Sequence, residues 1–297
     1  MDLISIVIST FKGEDGIYDC VASAMAQDYP MYEVIVVDDN GEGTESQIRT
    51  RKILEPFIQY SNFKYISHKK NINGSAARNT GIRESSGTFI AFLDDDDILH
   101  KNSIRARYEC LNSHNAEYGV VFSSFAQYVD GKKDFECIYT FDGDILFDYL
   151  SEKIHSPSSV LMVRRSVIED VGLWDEEFRR HQDWEYVTRI VSKYKACSIS
   201  EITVDRIVTW RNNAKKPELF EEQRDFFLAK MKPIIMSLDK KQVKQVYFAH
   251  YTDVGKNYLK HKKIIKALEL ALKSGSFFKA VYIYIKATCV YVTKTRC

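Results

Sequence analysis

The stretch "FIAFLDDDDILH" (Phe89–His100) ends an apolar run in four consecutive carboxylates, Asp94 to Asp97. Like charges repel, and each costs more where a strand dips toward a core. Such a run is either a solvated acidic turn or a seat for something strongly positive. Two carboxylates separated by one residue can address one hard divalent cation, with a diphosphate and water completing an octahedron. In an extended segment Asp94 and Asp96 share one face, and Asp95 and Asp97 the other. "VVDDN" adds Asp38 or Asp39 at the end of another apolar run, where an acid commonly bonds a ribose or base. "NINGSAARN" (Asn71–Asn79) is a Gly-containing loop entering a helix with Arg78. Helix N-termini and Arg both favour anions, although an ordinary capped helix with a solvated Arg has the same pattern. "HQDW" (His181–Trp184) sets Asp183 beside an aromatic wall, either as an N-cap or as a general base.

Other chemistries lack their residues. There is no G-x-G-x-x-G and no G-x-x-x-x-G-K-[ST], so a nucleotide here needs another charge partner, which a metal supplies. His155 and His181 stand without an H-E-x-x-H pattern, and no G-x-S-x-G elbow exists.

The elements that must position these groups are legible as short β-branched runs: Ser5–Thr10, Glu33–Asp39, Phe63–Ser67, Phe89–Asp94 and Tyr118–Ser123. Helix-like segments such as Ile17–Gln27 and Ser75–Ser85 alternate with them, which predicts an α/β fold with a largely parallel sheet. Ligands in such sheets lie beyond the carboxyl ends of the strands. Ser9-Thr10-Phe11, Asp38-Asp39-Asn40 and the four aspartates all fall at such ends. Beyond about residue 125 the pattern loosens: His155–Phe178 reads as strand, helix, turn, and His181–Tyr194 has helical spacing. From Pro217 onward the chain reads as basic amphipathic helices, with a boundary near 215–230.

The chain of 297 residues is 45% hydrophobic and 28% charged, ordinary for a soluble globular protein, and its net charge of +1 suggests no nucleic-acid partner. That average hides a split. Residues 230–297 carry 15 Lys+Arg against 3 Asp+Glu, whereas 1–229 carry 27 against 38. A basic tail on an acidic body suggests an acidic surface as the tail's partner. The six cysteines show no C-x-x-C pair and no zinc spacing, which predicts a reducing, cytoplasmic setting. Met1 leads straight into a strand-like run, so no signal peptide is expected, and no apolar run is long enough to predict a spanning helix.

Taken in order, "SIVISTFKG", "EVIVVDDN", "NINGSAARNTGI", "FLDDDD" and "HQDWE" resemble the family 2 glycosyltransferases of the GT-A fold over about residues 3–210. The resemblance implies a Rossmann-like, mostly parallel mixed sheet with a C-terminal helical extension. It implies a catalytic domain over 1–215, with a nucleotide-sugar half over about 1–125 and an acceptor half over about 126–215, and a helical tail over 216–297. Position by position, Ser9, Thr10 and Phe11 match the strand end against the nucleotide base, and Asp39 the acid that bonds uracil. Arg78 matches a helix position near the nucleotide. Asp94, Asp95 and Asp96 match the D-x-D motif, with Asp96, helped by Asp94, on Mn²⁺ or Mg²⁺ and the others toward ribose or metal-bound water. Asp183 matches the catalytic base. Two departures stand out: Gln182 where the family often has Glu, and "TWRNN", which supplies Arg211 but no following histidine.

The implied reaction is an inverting transfer of a hexose or N-acetylhexosamine from a UDP-sugar to an acceptor hydroxyl, giving a β-linkage. The segment "YLKHKKIIKALELALKSGSFFKAVYIYIKATCVYVTKTR" either lies on an anionic membrane or packs with its lysines solvated. A membrane-bound tail points to a lipid (polyprenyl diphosphate)-linked saccharide acceptor, to surface-polysaccharide or O-antigen assembly, and to the inner face of the cytoplasmic membrane. The rival readings are a noncatalytic nucleotide-sugar-binding subunit and a metal-dependent nucleotidyltransferase.

Overall fold

In the computed structural model the described residues are 1–208 and 216–294, with side chains described as far as 287. Strands form where apolar, largely β-branched residues run unbroken. These are β1 (Ile4–Thr10), β2 (Tyr32–Asp38), β3 (Phe63–Ser67) and β4 (Phe89–Asp94), with α1 (Ile17–Met25), α2 (Glu45–Leu54) and α3 (Gly74–Glu84) between them. They pair parallel in the order β3-β2-β1-β4. Ile4, Ile6, Val7, Ile8, Val34 to Val37 and Ile90 to Leu93 are wholly buried, as expected of strands covered on both faces.

Register determines what gathers at the sheet edge. Thr10 pairs with Asp38 and Ser9 with Asp94, so three polar strand ends lie side by side at one carboxyl edge. The chain continues through β5 (Ile98–Leu99), α4 (Ser103–Asn112), β6 (Tyr118–Val129), β7 (Lys132–Cys137), β8 (Asp142–Gly143), α5 (Leu146–Leu150), β9 (Leu161–Arg164), α6 (Arg165–Val171), α7 (Gln182–Val191) and β10 (Lys195–Val208). β9 runs antiparallel between β4 and β6, β10 lies parallel to β6, and β5 and β8 pair antiparallel with β10. The result is a mixed, mostly parallel sheet of the expected class. β6 runs on to Val129, past the Ser123 limit read from its apolar run, because β10 and β7 pair with its outer half.

The described residues fall into two compact units. One comprises 1–145 with the described part of 156–211; the other comprises 146–155 with the described part of 212–297. The second holds α5 and the helices α8 (Pro217–Lys230), α9 (Lys232–Ile235), α10 (Lys240–Lys260), α11 (Ile264–Lys273) and α12 (Phe277–Lys294). Pro217 opens α8 at a position where its missing N–H is harmless, and an Asp239/Gln242 capping box opens α10. Its core is Val254, Tyr258, Ala267, Leu270, Ala271, Ala280 and Tyr284. Arg224, fully buried, pairs with Glu152 and, at 2.8 Å, with Asp253, while the His250 ring stands 2.7 Å from it. Through Glu152 the segment 146–155 belongs with these helices, which hydropathy had no means of indicating. No helix among the described residues is long and apolar enough to cross a membrane.

Candidate active site

The four aspartates part company at the end of β4. The Asp97 amide donates to the Asp94 carbonyl at 3.1 Å, so the chain turns immediately after the strand. That turn breaks the alternation expected of an extended run: Asp94, Asp95 and Asp96 line one cleft, and Asp97 does not. Asp97 is buried, accepting from Ser159 Oγ at 2.5 Å and from the Ile207 amide at 3.0 Å. Burial, with Asp94 and Asp96 nearby, pushes its carboxyl well above the usual range.

The cleft has a volume of about 250 Å³ and is lined by Ser9, Thr10, Phe11, Asp39, Gly74, Ala77 and Arg78 besides the three aspartates. Asp95 accepts from Thr10 Oγ1 at 2.6 Å and from the Phe11 amide at 3.3 Å, which ties the turn to the end of β1. Gly13 is required beside this pair, because a Cβ there would meet Asp95 Oδ2 at 1.9 Å. The Phe11 ring is 45% exposed, a large apolar face left open at the rim.

Of the two candidates after β2, Asp38 is fully buried. It accepts from Tyr65 Oη at 2.7 Å and from the Asn40 amide at 2.8 Å, and desolvation raises its carboxyl. Asp39 lines the cleft. Its oxygens are held by His68 Nδ1 at 2.7 Å, Asn71 Nδ2 at 2.8 Å and the Ile72 amide at 2.9 Å. A carboxylate has about four acceptor sites, so these three donors fix Asp39 in place and leave about one site for a ligand.

Arg78 is the hub. Its Nη2 donates to Asp94 Oδ1 at 2.7 Å and to Ser158 Oγ at 3.0 Å, and its Nη1 to Gln182 Oε1 at 3.2 Å. The guanidinium lies over the Trp174 ring, 4.8 Å from its centroid. Trp174 in turn stacks on Tyr186 at 4.3 Å and meets Phe92 edge-on at 5.0 Å. Reciprocal 2.9 Å bonds between Asn79 and the Trp174 backbone clamp that segment to α3. Asp94, partly exposed and facing Arg78 and Ser158, has its carboxyl held below the ordinary range: desolvation acts upward, and these two partners outweigh it.

Asp183 lies in the first turn of α7, entered through His181 in the left-handed region at φ 56°. Its Oδ1 accepts from the Trp184 amide at 3.0 Å. Burial raises its carboxyl to about 6, against a lowering contribution from Arg78. That value suits a base working near neutrality. Gln182, one residue earlier, touches Arg78, so α7 opens beside the groups that line the cleft.

Ser158, Ser159 and Gln182 were not recognised as site residues in the sequence. "SPSS" reads as strand and turn chemistry, and only the antiparallel return of β9 beside β4 brings these serines to Asp94 and Asp97. The departure at Gln182 was the one visible signal. Arg211 lies outside the described residues.

The cleft fits a hard divalent cation by donor chemistry: three carboxylates offer oxygen alone, the ligand type that Mg²⁺ and Mn²⁺ favour, with no sulfur or imidazole among the lining residues.

The profile of glycosyl transferase family 2 matches residues 5–172, and the chain belongs to that family. Among curated relatives, glycosyltransferase AglE of Haloferax volcanii is 30% identical over 58% of this chain and 56% of its own length. Poly(ribitol-phosphate) β-N-acetylglucosaminyltransferase TarP of Staphylococcus aureus is 24% identical over 57% of this chain and 51% of its own. The chain thus spans about half the length of these curated relatives. Among solved structures, S. aureus TarS 1–349 in complex with UDP-GlcNAc superposes with a TM-score of 0.67 at 18% identity, covering 92% of this chain and 81% of that one. The mannosyltransferase PcManGT of Pyrobaculum calidifontis, in complex with GDP-Man and Mn²⁺, gives 0.62 at 14% identity, covering 98% and 81%. These similarities establish the GT-A-like fold.

Proposed function

We propose that the chain is an inverting, metal-dependent glycosyltransferase that moves a hexose or N-acetylhexosamine from a UDP-sugar to an acceptor hydroxyl, forming a β-linkage. The observation that carries the reading is the meeting of Asp39, Asp94, Asp95, Asp96 and Arg78 at one cleft, with a carboxylate raised to about 6, Asp183, one residue from the Arg78 partner Gln182. The catalytic part is 1–215 apart from the segment 146–155, which belongs with the helical tail 216–297.

Phe11 offers its exposed ring to the base, and Ser9, Thr10 and Asp39 border the same wall. Asp96 and Asp94 would hold Mn²⁺ or Mg²⁺, which supplies charge neutralisation for the UDP leaving group. Arg78 holds Asp94 ionised and in place. Asp183 takes the proton of the acceptor hydroxyl as that oxygen attacks the anomeric carbon from the face opposite UDP. One displacement inverts the configuration, and an α-linked donor gives a β-linked product.

The acceptor in this reading is a lipid-linked saccharide of surface-polysaccharide assembly, met at the inner face of the cytoplasmic membrane. What supports it is the excess of lysine in residues 230–297 together with exposed Ile265, Leu272 and Phe278, the composition of a helix surface that seats on anionic lipid.

The test is UDP or GDP release by purified protein with Mn²⁺, scanned across UDP-sugars and GDP-Man, with and without a polyprenyl-diphosphate sugar, and with Asp183→Asn beside it. Acceptor-dependent release that this variant loses supports the transferase and identifies its donor. Tight UDP binding without release for any donor and acceptor pair would favour a noncatalytic binding subunit instead.

A further inference from the structure

Away from the cleft, three chain segments bring metal-ligating side chains together. Cys110 and His114 stand one turn apart on and just after α4, and Cys197 projects from β10. The ligand atoms of all three lie within 4.8 Å of one another. β8 pairs with β10 so that Asp142 lies opposite Cys197 in register, and Asp142 Oδ2 stands 3.4 Å from His114 Nε2. From these positions we infer a zinc-class metal site, formed by Cys110, His114, Cys197 and Asp142, that joins α4 to β8 and β10.

Cys110, His114 and Cys197 have the composition and spacing of such a site, and Asp142, beside His114, is the carboxylate that would close around the ion as the fourth ligand. Two thiolates, one imidazole and one carboxylate are four ligands of the kinds that bind Zn²⁺ tetrahedrally. Nitrogen and oxygen ligands about 2.0–2.1 Å from one tetrahedral ion lie roughly 3.3 Å apart, which is the His114–Asp142 spacing. His114 Nδ1 is 2.8 Å from the Cys110 carbonyl, an acceptor that requires the proton on Nδ1. In the neutral ring this leaves the Nε2 lone pair facing a carboxylate, so a positive species belongs between them. A proton satisfies that pair alone, whereas a metal ion also engages the two sulfurs beside it.

The surroundings prepare the ligands. The Tyr118 hydroxyl bonds Asp142 and holds its carboxyl beside His114. Cys110 and Cys197 share a hydrogen bond, so the two sulfurs already lie side by side. Cys197 is buried, while Cys110 and His114 are only partly covered and Asp142 is exposed, so an ion has a way in. The four ligands come from widely separated positions with no C-x-x-C pair, which is why the sequence shows no zinc spacing. The donor types also separate this site from the all-oxygen cleft.

Titrating metal-free, phosphine-reduced full chain with Co²⁺ tests the inference. The expected result is a thiolate-to-Co²⁺ charge-transfer band with tetrahedral visible bands, saturating at one ion per chain and erased by stoichiometric Zn²⁺. Both features should be lost in Cys110→Ser and in Cys197→Ser, and kept in Cys137→Ser and in Asp96→Asn. Zn²⁺ should also raise the melting temperature of the native chain but not of a Cys110→Ser/Cys197→Ser double variant. Absence of the charge-transfer band in the reduced native chain would overturn the site, as would its persistence without both cysteines.

Discussion

Arg78 Nη1 lies 3.2 Å from Gln182 Oε1, although 104 positions separate the two residues in the chain. With its other amino group on Asp94 and its plane over Trp174, this one guanidinium fixes both a cleft carboxylate and the residue preceding Asp183. A fork of donors is what such a junction needs, and a lysine, whose donors all sit on one nitrogen, cannot span the two partners as the two amino groups do.

Arg78→Lys should therefore retain the fold but lower kcat/KM about ten- to a hundredfold, the equivalent of one charged hydrogen bond of roughly 1.5–3 kcal/mol. Steady-state UDP release measures it. Unchanged kinetics would mean that the Arg78–Gln182 junction positions nothing that the reaction needs.

Asp183 predicts a pH profile. A base must be ionised to accept a proton, so kcat/KM should fall as pH drops through about 6 and level off above it. The same shift has a cost in stability. A carboxyl raised from 3.8 to about 6 on folding favours the folded state only while protonated, and that contribution disappears as pH rises through 6. Asp183→Asn should abolish turnover and, above pH 6, stabilise the chain by up to about 3 kcal/mol, the gain shrinking toward pH 4. Urea melts at pH 5 and pH 8 measure the difference, and a variant less stable at pH 8 would contradict it.

The sheet and the clustering of the site at its edge were legible because they depend on short-range pattern. Apolar strands ending in polar residues, paired parallel and in register, must present those residues together. The roles of individual aspartates were less legible, because period-two alternation holds only while the chain is extended. The turn after Asp94 sends Asp97 away from the cleft and keeps Asp95 in it. Ser158, the Arg78–Gln182 contact and the His114–Asp142 pair escaped notice for a different reason. Each joins segments far apart in sequence, and a contact made by topology leaves no mark on local spacing.

Asp96 and Asp97 should separate cleanly under the same substitution. Asp96→Asn removes a cleft-lining carboxylate, and Mn²⁺-dependent UDP binding should fall by a factor of ten or more, the equivalent of about 1.4 kcal/mol. Asp97 is buried with a raised carboxyl, so its amide resembles its protonated form, and Asp97→Asn should bind UDP and Mn²⁺ as the native chain does. Calorimetric titration of both variants decides it. Equal losses in the two would mean that the run acts as one acidic surface.

Phe11→Ala should weaken UDP binding about ten- to a hundredfold with little change in stability, since a half-exposed ring contributes little to the core and base stacking on an aromatic is worth roughly 1–3 kcal/mol. Phe11→Tyr should bind normally. If the alanine variant binds UDP with native affinity, the ring does not contact the base.

Gly13 offers the most direct test of how the β1 end and the aspartate turn depend on each other. A Cβ there would stand 1.9 Å from Asp95 Oδ2 and 2.6 Å from Thr10 Oγ1, the two atoms that bond each other at 2.6 Å. Room for the methyl requires Asp95 to swing out, with Thr10 Oγ1 giving way beside it, and this also frees the Phe11 amide. Gly13→Ala should then cost about 1–3 kcal/mol of stability, as overpacked sites do, and weaken Mn²⁺-dependent UDP binding. If the clash with Asp95 is the cause, removing that side chain should remove most of the penalty. Asp95→Ala should therefore cost much less in a Gly13→Ala background than in the native chain, and a double-mutant cycle on urea stability measures that coupling. Additive effects would place the strain of Gly13→Ala elsewhere and leave the Thr10–Asp95 tie without the organising role given to it here.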